Sequence, residues 1–119
     1  MTDPLIYHIC REEEWQAAQA SGRYGGSSQD QADGFIHFSA AGQLRASAAK
    51  HRAGQKGLVL LEAASDRLGA ALKWEPSRGG ALFPHLYGAL PVTAVTRAWP
   101  LPLGADGQHV FPEDLDLPA

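Results

Sequence analysis

The chain has one cysteine, one methionine and no apolar run long enough to cross a bilayer. A lone cysteine, Cys10, forms no internal disulfide, which fits a reducing compartment. The longest strongly apolar stretch, Leu58 to Leu61, falls far short of the roughly 20 residues a membrane helix needs. The start, Met1-Thr2-Asp3-Pro4, lacks the basic region and apolar run of a secretory signal, so a soluble cytoplasmic protein with no membrane partner is expected. Positive charge is also scarce: 10 Lys plus Arg against 13 Asp plus Glu give a net charge of -3. A nucleic-acid surface would be basic and clustered, so nucleic acid is not an expected partner. The Gly25-Gly26-Ser27-Ser28 segment has no Lys-Ser or Lys-Thr pair and follows no strand, so it is not a phosphate loop.

What is present suffices for one core. The 119 residues are 45% hydrophobic and 19% charged, and a chain of this size buries roughly two-thirds of its unfolded surface. Residues 1–103 are expected to form the domain. Residues 104–119, with Pro112, Pro118, Glu113, Asp114 and Asp116, are expected to form a lightly ordered acidic tail that includes His109.

Leu5 to Cys10 alternates as a strand, with Ile6, His8 and Cys10 on one face and Leu5, Tyr7 and Ile9 on the other. Arg11 to Ser21 follows as a helix whose Glu12, Glu13 and Glu14 complement the positive end of the dipole and whose end is marked by Gly22. Gly22 to Gly34 is polar and glycine-rich, and predicts a loop. Phe35 to Ser39 is a second strand with Phe35, His37 and Ser39 on one face, and Ser39 is placed to cap a helix from Ala40 to about Arg52. Gly57 to Ala63 is continuously apolar, as a strand covered on both faces would be. Ser65 to Gly69 predicts a turn, Leu72 to Glu75 a short strand, Ala81 to Gly88 another with Pro84 at an edge or bulge, Leu90-Pro91 a turn, and Val92 to Trp99 the last strand.

Three strand-like stretches each carry a histidine: Ile6-Tyr7-His8-Ile9, Phe35-Ile36-His37-Phe38-Ser39 and Phe83-Pro84-His85-Leu86-Tyr87-Gly88. A polar ring in such a segment requires a partner or a task. Read singly, each histidine is structural and the aromatics Tyr24, Trp74 and Tyr87 are core. As a set, the three histidines mark a site. Neutral imidazoles from three strands are also a ligand set for zinc, although no His-x-His or His-x-x-x-His pair supports it. Cys10 with His8, or Ser39 with His37, share a strand face but diverge as i, i+2 pairs, which disfavours a nucleophile dyad.

The same segments carry a resemblance. Tyr7-His8, Trp15, Gly34-Phe35-Ile36-His37-Phe38-Ser39 with Gln43, Leu58 to Leu61, Trp74-Glu75 and Phe83 to Gly88 resemble the domain of unknown function 952 family, grouped with the ADP-ribosyltransferase-like superfamily. Tyr7-His8 and His37-Phe38-Ser39 are also similar to elements of RNA 2'-phosphotransferases, which use NAD. After the first histidine those enzymes carry Gly then Ser or Thr, where this chain has Ile9-Cys10.

The resemblance implies a single α+β domain with a split, bent, mostly antiparallel sheet and two helices. It implies a small nucleotide-like ligand, NAD or ADP-ribose-like, with ADP-ribosyl transfer, and no resident metal. His8, Ser39 and Tyr87 would bind the cofactor, His37 and His85 would act in catalysis, and Glu75 would stand at the rim. The alternatives are a nucleotide- or metabolite-binding module without turnover, and a metal-dependent hydrolase built on the clustered histidines.

Overall fold

The continuously apolar stretch is a central strand. In the computed structural model, which describes residues 5–77 and 80–115, Leu58–Ala64 (β4) pairs antiparallel with Leu5–Arg11 (β1) on one side and Val95–Leu101 (β8) on the other. Strand alternation sends its side chains into two cores. Val59, Leu61 and Ala63 meet Ile6 and Cys10 of β1, together with Tyr24, Phe38 and Leu86. Leu58 and Leu60 meet Tyr7 and Ile9, together with Leu44, Ala48 and Leu101. Each buried leucine contributes roughly 1.5–3 kcal/mol relative to exposure, so β4 anchors both sides of the sheet.

Helix α1, Glu12–Ser21, starts where Glu14 Oε1 accepts the Arg11 N–H at 2.8 Å and ends at Gly22, whose φ of 87° only glycine adopts readily. It buries Ala18 against the first core and leaves Glu12 and Glu13 in water. A helix labelled α3, Ala41–His51, covers the second core with Leu44 and Ala48. Ser39 does not cap it. The first helical residue follows Ala40, whose N–H is accepted by Gln43 Oε1 at 2.9 Å, while the Ser39 hydroxyl donates to Ser47 at 2.9 Å.

A second sheet has the order β3-β6-β5, from Ile36–His37 (β3), Leu82–Leu86 (β6) and Leu72–Pro76 (β5); Arg23–Tyr24 (β2) pairs separately with Leu90–Pro91 (β7). Every strand pair is antiparallel. The sheets meet at an isolated bridge, Tyr7 with Ser39, made of two reciprocal backbone bonds of 2.8 Å. The α+β class and the split antiparallel sheet are as expected from the sequence.

Four expectations change. The described residues form three α-helices, because Ser28–Asp33 (α2) arises inside the segment expected to be a loop. The second strand is only Ile36–His37, because Phe38 N–H donates to Pro84 O and Ser39 crosses to Tyr7. Pro84 lies in a middle strand, not at an edge. Its carbonyl faces β3 where that short strand has already ended, so the N–H that proline lacks is not needed for pairing. Leu90–Pro91 pairs as β7, and Val92–Ala94 makes one 3-10 turn before β8 begins.

Ser65–Arg67 forms the expected turn. After β8, Phe111 and Leu115 pack on the second core, and His109 Nε2 bonds Gln55 O at 2.9 Å. Residues 1–4, Gly79, Asp116 and Pro118 lie outside the described residues. Among the described residues no helix is long and apolar enough to cross a membrane.

Candidate functional site

The site is organised by a residue that sequence reasoning passed over, Asp30. Ser27 and Asp30 cap α2 reciprocally: Asp30 N–H donates to Ser27 Oγ at 3.3 Å, and Ser27 N–H to Asp30 Oδ2 at 2.8 Å. Gly34, at φ 87°, ends the helix and turns the chain into β3. There the His37 N–H reaches Asp30 Oδ1 at 3.1 Å and the His37 ring Nδ1 reaches the same oxygen at 2.6 Å. Burial opposes ionisation of Asp30, but the His37 hydrogen bond, the His8 ring and the backbone N–H groups outweigh it and hold the carboxyl at about 2.

His8 is locked in one tautomer. A carbonyl only accepts, so Nδ1–H donates to His37 O at 2.6 Å, and Nε2 accepts from the Tyr24 hydroxyl at 2.7 Å. Burial lowers the pKa of His8 and raises that of Tyr24, which suits a neutral ring receiving a phenol proton. Asp30 Oδ2 stands 3.7 Å from His8 Nε2, beyond hydrogen-bond length. The order Tyr24–His8–His37–Asp30 thus ties β2, β1, β3 and α2 together.

Antiparallel register places His37 opposite His85, with ring centroids 5.4 Å apart. His37 is the more open of the two, 40% exposed at its side chain, and its Nε2 faces Asp33 Oδ2 at 3.1 Å. Both of its nitrogens therefore confront carboxylates. His85 is buried, its ring stacked on Phe35 at 4.2 Å and its Nδ1 2.8 Å from Glu75 Oε1. Tyr87 donates to that same oxygen at 2.7 Å; this bond, then the one from His85, lowers the Glu75 pKa.

A cleft of about 810 Å³ opens over this group. Its walls include His8, His37, His85, Ser39 and Asp30, with Asp33 from the end of α2, Arg11 from β1, and His51 and Arg52 from the end of α3. The three histidines converge there. Tyr87 and Glu75 do not line the cleft; they stand behind His85, and Tyr87 is 42% exposed. Cys10 is in the first core, and desolvation by burial pushes its thiol up to about 12, so it is no nucleophile at neutral pH. Among the described residues no group of three His, Cys, Asp or Glu side chains is arranged to hold a metal. Both ring nitrogens of His8 and His37 and the Nδ1 of His85 already face the His37 carbonyl, the Tyr24 hydroxyl and the carboxylates of Asp30, Asp33 and Glu75.

Asp30, Asp33, Arg11 and Arg52 were not legible as site residues. A signal for the first existed: Ser27-x-x-Asp30 before Gly34 is a capping box followed by a helix stop.

Both buried groups couple stability to pH with the same sign. His8, with its folded pKa below 6.5, protonates first in the unfolded chain, so stability falls as pH drops below about 6.5. Asp30, at about 2 against 3.8, adds a loss of roughly 2 kcal/mol between about pH 4 and 2. Thermal unfolding should show a midpoint that declines through both windows, and Asp30→Asn should shrink the lower one, leaving the share that Glu62 contributes. A midpoint that rises on acidification contradicts this account.

A split antiparallel α+β domain with a histidine- and carboxylate-walled cleft defines the class of protein. The chain belongs to the family described as protein of unknown function (DUF952), which matches residues 9–98. It is similar to protein CC0527 from Caulobacter crescentus. The crystal structure of that protein is 55% identical over 89% of this chain and 93% of that one, with a TM-score of 0.86. The solution NMR structure of CC0527 is 55% identical over 89% and 91%, with a TM-score of 0.79. No curated protein matches the chain.

Proposed function

We propose that the cleft binds a nucleotide of the NAD or ADP-ribose kind and that the protein transfers the ADP-ribosyl group from it, within an ADP-ribosyltransferase-like fold. The observation that carries this reading is the charge layout of the cleft. At the α2 end two carboxylates, Asp30 and Asp33, face one imidazole, His37, and leave that end negative even when His37 is protonated. Arg11 and Arg52 bring positive charge to the same cleft, alongside Glu14, and Arg52 is held there by Ile9 O at 2.9 Å. A dinucleotide with an anionic pyrophosphate and a cationic pyridinium ring has a partner for each sign of charge in the cleft wall.

Volume agrees, since about 810 Å³ lies within the roughly 300–1,000 Å³ of small-molecule sites. Loss of nicotinamide leaves a ribose of oxocarbenium character, which requires orientation and nearby negative charge more than covalent chemistry. His37 and His85 flank the place where that ribose would react. Ser39 and His8 form the wall beside it. Tyr87, beyond the rim, reaches only a part of the ligand that overhangs.

A binding module without turnover is the second reading, and His8 favours it: both of its nitrogens are committed to the protein. Calorimetric titration with NAD tests the shared claim. About one ligand per chain is expected, and Arg11→Ala should weaken binding about tenfold or more by removing a charge-assisted contact to phosphate. Absence of binding heat at two temperatures removes the nucleotide reading. Nicotinamide release on incubation separates transfer from binding alone.

A further inference from the structure

The three cleft histidines differ in the state of one atom. His8 gives its Nδ1 proton to His37 O and its Nε2 lone pair to the Tyr24 hydroxyl. His37 faces carboxylate oxygens with both nitrogens. His85 donates Nδ1–H to Glu75 Oε1, and among the described residues nothing bonds its Nε2. No fully buried side-chain nitrogen or oxygen among those residues lacks a partner. Nε2 therefore owns part of the small surface that His85 shows to the cleft.

We infer that His85 is the base of the transfer reaction, that Glu75 is its positioning residue, and that the acceptor is a hydroxyl group of an alcohol or of water. This rests on the nucleotide reading above. With Nδ1–H held by Glu75, the neutral ring has a single basic nitrogen. Phe35, stacked at an interplanar angle of 25°, fixes the plane of the ring. Tyr87 donates to the same Glu75 oxygen and fixes the carboxylate there. Glu75 does not line the cleft, so it acts through His85 and touches no ligand.

The chemistry selects the acceptor. A carboxylate or thiolate attacks without a base, whereas a hydroxyl is a weak nucleophile until its proton is removed. In the step, the acceptor oxygen bonds to ribose C1 and the bond from C1 to the nicotinamide nitrogen breaks. Its electron pair returns to the pyridine ring. The hydroxyl proton passes to His85 Nε2 and from there to water.

The experiment combines two readouts on the full chain. Long-range proton–nitrogen NMR of the His85 ring reports its tautomer without any ligand, and nicotinamide release from NAD in water, or in water with glycerol, reports turnover. In the parent protein Nδ1 should carry the proton and Nε2 the lone pair. Glu75→Gln, whose amide can donate to Nδ1, should move the proton to Nε2. The same variant should bind NAD with unchanged affinity and release nicotinamide on the order of 10²–10⁴-fold more slowly. Tyr87→Phe should keep the parent tautomer.

A parent ring protonated at Nε2, or a Glu75→Gln ring that keeps the parent tautomer, overturns the positioning role. Equal nicotinamide release by parent and Glu75→Gln overturns the base. If NAD fails to bind while the ring behaves as expected, the nucleotide reading falls and takes the hydroxyl transfer with it.

Discussion

Replacing Asp30 by alanine should lower the unfolding free energy by roughly 3–5 kcal/mol, the cost of breaking a buried ionic network on one side. The carboxylate is only 3% exposed and carries the α2 cap and two bonds from His37. Its loss leaves the Ser27 and His37 N–H groups without acceptors and His37 Nδ1 without its nearer carboxylate. Each buried orphan donor costs roughly 1–3 kcal/mol. Asp33, half-exposed and bonded to the same ring from the solvent side, is the control: Asp33→Ala should cost no more than about 1 kcal/mol. Urea unfolding of the two variants measures the difference, and equal costs would show that Asp30 does not organise the site.

The second large effect lies on the opposite side of the sheet. Glu62 is 2% exposed within the apolar central strand, yet all its oxygen capacity is used. Oε1 accepts from Thr96 Oγ1 at 2.7 Å and Arg97 Nε at 3.0 Å; Oε2 accepts from Arg97 Nη2 at 2.9 Å and the Tyr7 hydroxyl at 3.0 Å. Burial would raise its pKa, and the Arg97 bonds reverse that. Arg97→Ala should therefore destabilise by roughly 3 kcal/mol, because a buried carboxylate is left with two hydroxyls only. Arg97→Ala combined with Glu62→Leu should cost less than the two changes summed. Strict additivity in that cycle would mean the pair is not coupled.

The contrast between these residues and the legible ones is physical. The faces of β1, the double burial of β4 and the extents of α1 and α3 follow from periods of two and 3.6 residues, which sequence displays directly. Helix α2 has no apolar period in Ser28–Asp33, and its existence is specified by a cap and a glycine stop, so the polar, glycine-rich sequence there resembles that of a loop. The three histidines were visible as a set, but their meeting depends on the register of β3 with β6, which is non-local. Glu62 carries no signal of its own within the apolar Gly57 to Ala63 stretch, because its partners come from β8 and β1. Pro84 looked like an edge residue because the length of its neighbour β3 is not written near it.

The bridge between Tyr7 and Ser39 gives the molecule a mechanical character. Two residues that line the cleft also carry the pair of bonds on which its walls meet. The long β1–β4–β8 sheet and the short β3–β6–β5 sheet are pinned there, and they are held again by the bond from His8 to His37 O and by the core they share. Cleft width is thereby tied to core packing, because the short sheet cannot swing away from the long one without unpacking Phe38 and Leu86 from Val59 and Leu61 of β4.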